Sequence, residues 1–227
     1  MSGFVLVLYI FAAIVLSYLL GSISFAVIIS EHFTHKDIRN MGSGNAGMTN
    51  VMRVVGAKAG IITFVLDCLK GVVASLVAKY FVFDYLYSIT NEWWLAPSYW
   101  GYICGLCCLI GHMYPIFFKF KGGKGVATTG GIMIACSPFV FLIGISVFLI
   151  VFLISRTVSL SSMSAGIALI VSLFFFYDKI SLPYAKTIQI LLLVLIVALV
   201  FVKHKDNIIR IVKGEEKPLE VKKAENK

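Results

Sequence analysis

From Phe4 to Ile29 the chain carries no charged side chain. A run of that length is stable as a helix crossing a bilayer, because hydrocarbon offers no partner for a backbone that does not bond to itself. Composition agrees with this reading. The 227 residues are 59% hydrophobic and 14% charged, where soluble domains have about 25% charged residues. The chain therefore reads as an all-α, polytopic membrane helix bundle, a single integral-membrane domain spanning 1–227. Its formal net charge of +9 suits an anionic leaflet or anionic substrates. The basic residues lie in short loops and a tail, so no nucleic-acid partner is expected. The first run has no basic segment before it and is long enough to remain as a span, which argues against a cleaved signal peptide.

Five cysteines, Cys68, Cys104, Cys107, Cys108 and Cys136, all lie in apolar runs. No His or carboxylate joins them at ligand spacing, so they read as small buried filler, and no metal or cofactor is expected.

The first span, Phe4 to Ile29, is interrupted near its end by Gly21-Ser-Ile-Ser24. A polar loop from Ser30 to Lys58 follows, then a second span from Ala59 to Val82. The loop from Asp84 to Ser98 carries Trp93 and Trp94 as interfacial anchors, with Tyr99 at the next helix. A third span runs from Tyr99 to Phe118. Two more, Ser161 to Phe176 and Thr187 to Val202, flank a loop from Tyr177 to Lys186, and a basic tail occupies 203–227. The segment Val126 to Ile154 is long for one helix and contains Pro138. One crossing there would set the basic tail opposite the two basic loops, against the positive-inside bias. Two short helices meeting at Ser137-Pro138 put every basic segment on one side. The expectation is about seven transmembrane helices, with the N-terminus outside and the C-terminus cytoplasmic. Asp67 and Lys70 lie in the second span at a spacing that shares one face. They are expected to pair and face the interior, since an unpaired charge there is costly, and either border the site or simply neutralise each other.

Four polar patches interrupt this apolar chain. In Met41-Gly-Ser-Gly-Asn-Ala-Gly-Met-Thr-Asn-Val-Met-Arg53, Gly42, Gly44 and Gly47 let the backbone turn tightly and bring N–H groups to a ligand. Ser43, Asn45, Thr49 and Asn50 add side-chain donors, and Arg53 adds a fork that matches phosphate. The apolar residues that follow suggest that the loop ends on a helix start, where anions are favoured. In Lys119-Phe-Lys-Gly-Gly-Lys-Gly125, Gly122, Gly123 and Gly125 free the backbone around Lys124 in a second phosphate-cradling design. It is not a nucleotide-binding P-loop, because Phe118 stands in place of the leading glycine and Gly125 follows the lysine instead of Ser or Thr. The third patch, Ser155 to Ser162, holds Arg156, Ser159 and Ser161. In the fourth, His204 and Asn207 share a helix face just beyond the last span. His32 and Asp37 have the His-x4-Asp spacing of a different acyltransferase class. The companion motifs of that class are missing, so the match reads as coincidence.

Together these segments resemble the acyl-phosphate-dependent glycerol-3-phosphate acyltransferases, the PlsY family. Gly21-Ser-Ile, Gly42 to Arg53, Asp67-Cys-Leu-Lys-Gly71, Gly111-His-Met-Tyr-Pro115, Gly122-Gly-Lys-Gly-Val-Ala127, Arg156 to Ser162 and His204 to Arg210 occur in the family's order. Two departures are Ser24, where the family usually has proline, and Met48, where it usually has alanine. The resemblance implies acyl transfer from acyl phosphate to the 1-hydroxyl of glycerol 3-phosphate, the first step of phospholipid synthesis. It also implies membrane lipids as surroundings and a site on the cytoplasmic side of a bacterial cell membrane. Residue chemistry fits, since two phosphorylated reactants require two anion cradles. The assignment that follows places Ser43, Arg53, Lys124 and His204 at the reaction. Gly44, Asn45, Gly47, Thr49, Asn50, Gly122, Gly123, Gly125, Arg156, Ser159, Ser161 and Asn207 hold the substrates, with His204 and Asn207 on the glycerol phosphate. The general base is either His204 or a substrate phosphate. A carrier for a small phosphorylated solute is the rival class, and it too would want basic, glycine-rich loops at broken helices.

Overall fold

The structure is a computed structural model and describes residues 2–176 and 183–219. The loop expected from Tyr177 falls largely outside the described residues, as does the tail from Glu220. The first span is two helices, α1 (Gly3–Gly21) and α2 (Phe25–Thr34). The break occurs although Ser24 replaces the usual proline. Its freed carbonyls are bound from another helix, where Lys70 Nζ donates to the Gly21 carbonyl at 3.1 Å and to that of Ile23 at 2.9 Å. A Cβ on Gly21 would stand 2.0 Å from the Cys108 carbonyl oxygen, so the helices cross here with no side chain between them.

Short α3 (Met48–Val54) follows the polar loop and leads to α4 (Ala57–Leu76). This helix does not stop near Val82 as expected. It widens into π-helical turns over Val77–Phe83 and continues as α5 (Asp84–Thr90). No glycine or proline interrupts that stretch, and Asn91 in a left-handed conformation ends it. Trp93 and Trp94 then sit exposed in a 3-10 turn, and α6 (Pro97–Met113) begins at its proline.

The difficult segment is two helices, α7 (Val126–Cys136) and α8 (Pro138–Ser155), meeting at Ser137-Pro138. Among the described residues, six stretches are long and apolar enough to cross a membrane. The shorter apolar helix α7 rises only about 16 Å at ~1.5 Å per residue, so it is shorter than the hydrocarbon is thick. It is covered by neighbours, with Thr128, Gly131, Ile132 and Met133 buried, which is where so short a membrane helix is tolerated. Helices α9 (Val158–Phe176), α10 (Pro183–Lys203) and α11 (Lys205–Val212) complete the bundle.

The main core is built from α6, α7, α9 and α10, around Leu109, Met113, Ile132, Leu173, Leu193 and Ile196. A second cluster, with Ala26, Val27, Ile38, Ala46 and Val51, seats the first polar loop against α2, α3 and α4. Elsewhere the apolar side chains point outward, such as Ile154 and Phe175, as lipid-facing helices require. The expected Asp67–Lys70 pair forms at 2.8 Å with both side chains buried.

Candidate active site

The four polar patches converge at one end of the bundle, and the loop Lys121–Gly125 lies at their centre. Gly123 N–H donates to the His112 carbonyl at 3.2 Å. A Cβ on Gly123 would lie 2.5 Å from the Ala46 carbonyl oxygen, and one on Gly125 would lie 2.2 Å from Leu109 Cδ1. These glycines are thus pressed between α6 and the first polar loop. Arg39 ties the same two loops together. It is locked to Asp37 at 2.6 Å and reaches the Phe118 carbonyl at 2.5 Å. Its hydrogen bond holds the Asp37 carboxyl below the usual range. Asp37 is therefore committed to an arginine, and the His32–Asp37 spacing carries no acid–base pair.

On the far side of the lysine loop, Lys124 Nζ donates to Asn207 Oδ1 on α11. Asn207 Nδ2 donates to Glu216 Oε1 at 2.6 Å, and Ser159 Oγ from α9 donates to that same oxygen at 2.6 Å. Arg210 Nε reaches Glu216 Oε2 at 2.7 Å. Burial opposes the charge on Glu216, but these three hydrogen bonds outweigh it and hold the carboxyl below its ordinary value. Burial is also the larger cause that lowers Lys124 to about 8, with Arg210 adding to it. His204 is buried at the junction of α10 and α11, with Nδ1 2.8 Å from the Val200 carbonyl. That contact makes Nδ1 the donor and leaves Nε2 with its lone pair. Burial, with the nearby Lys124 charge, lowers His204 to about 4, so the imidazole is neutral at pH 7.

The lysine loop precedes α7 and Ser159 follows α8, yet both reach Asn207 and Glu216. The α7–α8 pair therefore goes out and returns, as charge parity required. The last helix and the tail arrive at the same end. The chain from Lys203 is not a solvated appendage as far as Leu219. Lys203 bonds the Met113 carbonyl at 3.1 Å, and Leu219 N–H bonds that of Arg156 at 3.0 Å.

Several expected site residues take other roles. Asn50 is buried, its amide donating to the carbonyls of Ile38, Met41 and Asn45 while Oδ1 accepts from Ser43 N–H at 2.9 Å. It shapes the loop and has no donor left for a substrate. Ser161 donates to the Thr157 carbonyl, just before its own helix, at 2.8 Å, so of the two serines only Ser159 faces the cluster. Arg156 is exposed in a left-handed turn, and its carbonyl is the part that ties down the tail. Gly42 and Gly44 have φ of 56° and 72° and turn the chain so that Ser43 is exposed. Asn45, Gly47, Thr49 and Arg53 are half-buried along the same loop and α3. Among the described residues, the side chains of Ser43, Thr49 and Arg53 make no hydrogen bond or ion pair.

A family model described as glycerol-3-phosphate acyltransferase matches residues 11–214. A Bacillus anthracis protein named glycerol-3-phosphate acyltransferase 2 is 42% identical over 203 residues, covering 89% of this chain and 95% of that one. The chain belongs to the glycerol-3-phosphate acyltransferase family. An Aquifex aeolicus member is 41% identical over 205 residues, covering 89% of this chain and 95% of its own length. Among solved structures, the chain is similar to the integral membrane glycerol 3-phosphate acyltransferase PlsY (YgiH) in its glycerol 3-phosphate form. The TM-score is 0.78 at 38% identity, with 93% of this chain and 96% of that one covered. The lysophosphatidic acid form of PlsY gives a TM-score of 0.74 at 37% identity, covering 92% and 94%.

For this family member, sequence reading missed Glu216, Arg39 with Asp37, and Lys203. Glu216 had one visible signal, as half of a carboxylate pair set in an otherwise basic tail. Arg39 and Lys203 looked like ordinary loop and interface cations, and only the packing shows that they hold carbonyls.

Proposed function

We propose that this chain moves a fatty acyl group from acyl phosphate to the 1-hydroxyl of glycerol 3-phosphate. The products are 1-acyl-glycerol 3-phosphate and phosphate, which makes the reaction the entry step of phospholipid synthesis. One observation carries the reading: two polar cradles abut at Gly123, beside Lys124, as a reaction between two phosphorylated molecules requires. The solved relative is described with glycerol 3-phosphate and with lysophosphatidic acid, the acceptor and product of such a transfer.

Acyl phosphate is already activated, so the protein's tasks are positioning and charge stabilisation. Asn207 and Ser159 hold the glycerol phosphate by turning their donors from the Glu216 carboxylate to it, with His204 beside it. Ser43, Thr49, Arg53 and the loop N–H groups hold the acyl phosphate, and Lys124 lies between the two. The glycerol hydroxyl oxygen attacks the acyl carbon, the carbon–oxygen bond to phosphate breaks, and phosphate leaves with the electron pair. The hydroxyl proton passes to a phosphate oxygen rather than to His204. A phosphoester's second pKa of ~6 makes it the stronger base beside an imidazole near 4. His204 then orients the hydroxyl. The site faces the cytoplasm of a bacterial cell membrane, because Lys36, Arg53, Lys121, Lys124, Arg156 and Lys205 all lie at that end of the bundle.

The test is lipid-phase incorporation of labelled glycerol phosphate by purified protein, comparing acyl phosphate with acyl-CoA and acyl carrier protein donors. Product that requires acyl phosphate is the expected result. Uptake into sealed vesicles without product would instead identify a carrier.

A further inference from the structure

We propose that His112 is a positioning residue for the lysine loop, aligned from within the membrane by Asp67 and Lys70. The proposal deepens the acyltransferase reading and rests on it. Asp67 and Lys70 pair at 2.8 Å while both are buried in α4. A pair that only neutralised itself would need no further partners, and apolar residues would serve the fold as well. This pair has partners on both sides. Lys70 holds the carbonyls at the break between α1 and α2. Asp67 Oδ1 faces Nδ1 of His112, in the last turn of α6, at 3.5 Å.

His112 in turn meets the lysine loop with both backbone and ring. Its carbonyl accepts from Gly123 N–H at 3.2 Å. A Cβ on Gly122 would stand 2.0 Å from that carbonyl oxygen, and one on Gly123 would stand 2.4 Å from Nε2. The ring therefore packs against the loop with no room for a side chain between them, and a rotation of the ring toward Gly123 displaces it. Gly123 also abuts the Ala46 carbonyl of the first cradle and immediately precedes Lys124. Asp67 fixes the ring, the ring fixes Gly123, and Gly123 sets the distance between Lys124 and both cradles. All three side chains are buried in the bundle, so their effect is on the placement of substrate.

A mutant cycle on the purified full-length enzyme tests this, with His112→Phe, Asp67→Asn and the double variant assayed for labelled glycerol phosphate incorporation. His112→Phe is expected to raise the KM for glycerol 3-phosphate by about tenfold while kcat stays within about threefold, the signature of lost binding. Asp67→Asn raises KM by about threefold alone and adds nothing in the His112→Phe background, because the two act through one ring. His112→Asn, which keeps a donor toward Asp67, recovers most of the loss. Effects that multiply in the double variant, or a fall in kcat at unchanged KM, overturn the proposal. If His112→Phe does not fold, the same cycle with His112→Ala decides. A wild type that binds glycerol 3-phosphate without transferring an acyl group refutes the acyltransferase reading instead, and the cycle is then read in dissociation constants.

Discussion

The two cradles that meet at Gly123 hold their polar groups in opposite ways. On the α11 side, Lys124, Asn207, Glu216, Ser159 and Arg210 bond to one another across four segments of the chain. On the α3 side the backbone is fixed, by the Asn50 amide within the loop and by Arg39 across to Phe118. The side chains of Ser43, Thr49 and Arg53 bond to nothing among the described residues. One region is a cross-linked network in which position and stability are the same thing. The other is a stiff loop that presents side chains. Substitutions in the first therefore cost stability and activity together, whereas substitutions at the tips of the second cost activity alone.

The largest effect should come from Lys124→Ala, which removes the cation between the cradles. Turnover is expected to fall by about 10²–10³-fold, in line with losing a transition-state charge donor, and near-normal product formation would remove Lys124 from the site. Next comes Arg53→Lys, which keeps the charge but loses the fork, with an expected loss in kcat/KM of about tenfold or more. Its melting temperature should match wild type, and a lowered one would erase the contrast between the regions. Glu216→Gln should do the reverse, costing about 1–3 kcal/mol of stability through charged hydrogen bonds. Glu216 sits below its ordinary 4.5 when folded, so its contribution is complete above that pH and is lost as pH falls through the folded value. The melting difference between Glu216→Gln and wild type should therefore vanish in acid. Smallest is the pH response of kcat/KM. Lys124 loses its proton near 8, so the rate should decline above that pH, and it should also fall below about pH 6 as the substrate phosphate that acts as base takes up a proton. A rate that holds through about pH 6 and falls only near 4 would instead point to His204 as the base.

Sequence carried most of this architecture because each cue was local. The Gly21–Ser24 break, the Ser137-Pro138 corner and the charge parity of the basic loops were each readable from a few neighbouring residues. The end of α4 was not, because nothing between Val77 and Thr90 stops a helix and a π-helical widening leaves no simple residue signature. In the site, residue chemistry singled out Lys124, Asn207, Ser159 and His204, which the structure brings to one end of the bundle. It misjudged Asn50 and Ser161, because a polar side chain that bonds its own backbone has the same letter as one that faces a ligand. Glu216 was hidden for a different reason. Its partners lie 57 and 9 residues away, and only folding of the tail onto α9 and α11 joins them.

The division of labour between the cradles is open to one direct measurement, the steady-state kinetics of Arg53→Lys and Asn207→Ala with each substrate varied in turn. The account predicts that Arg53→Lys raises the KM for acyl phosphate and Asn207→Ala raises that for glycerol 3-phosphate. If both variants weaken the same substrate and leave the other untouched, the two loops form a single anion site, and the account is wrong.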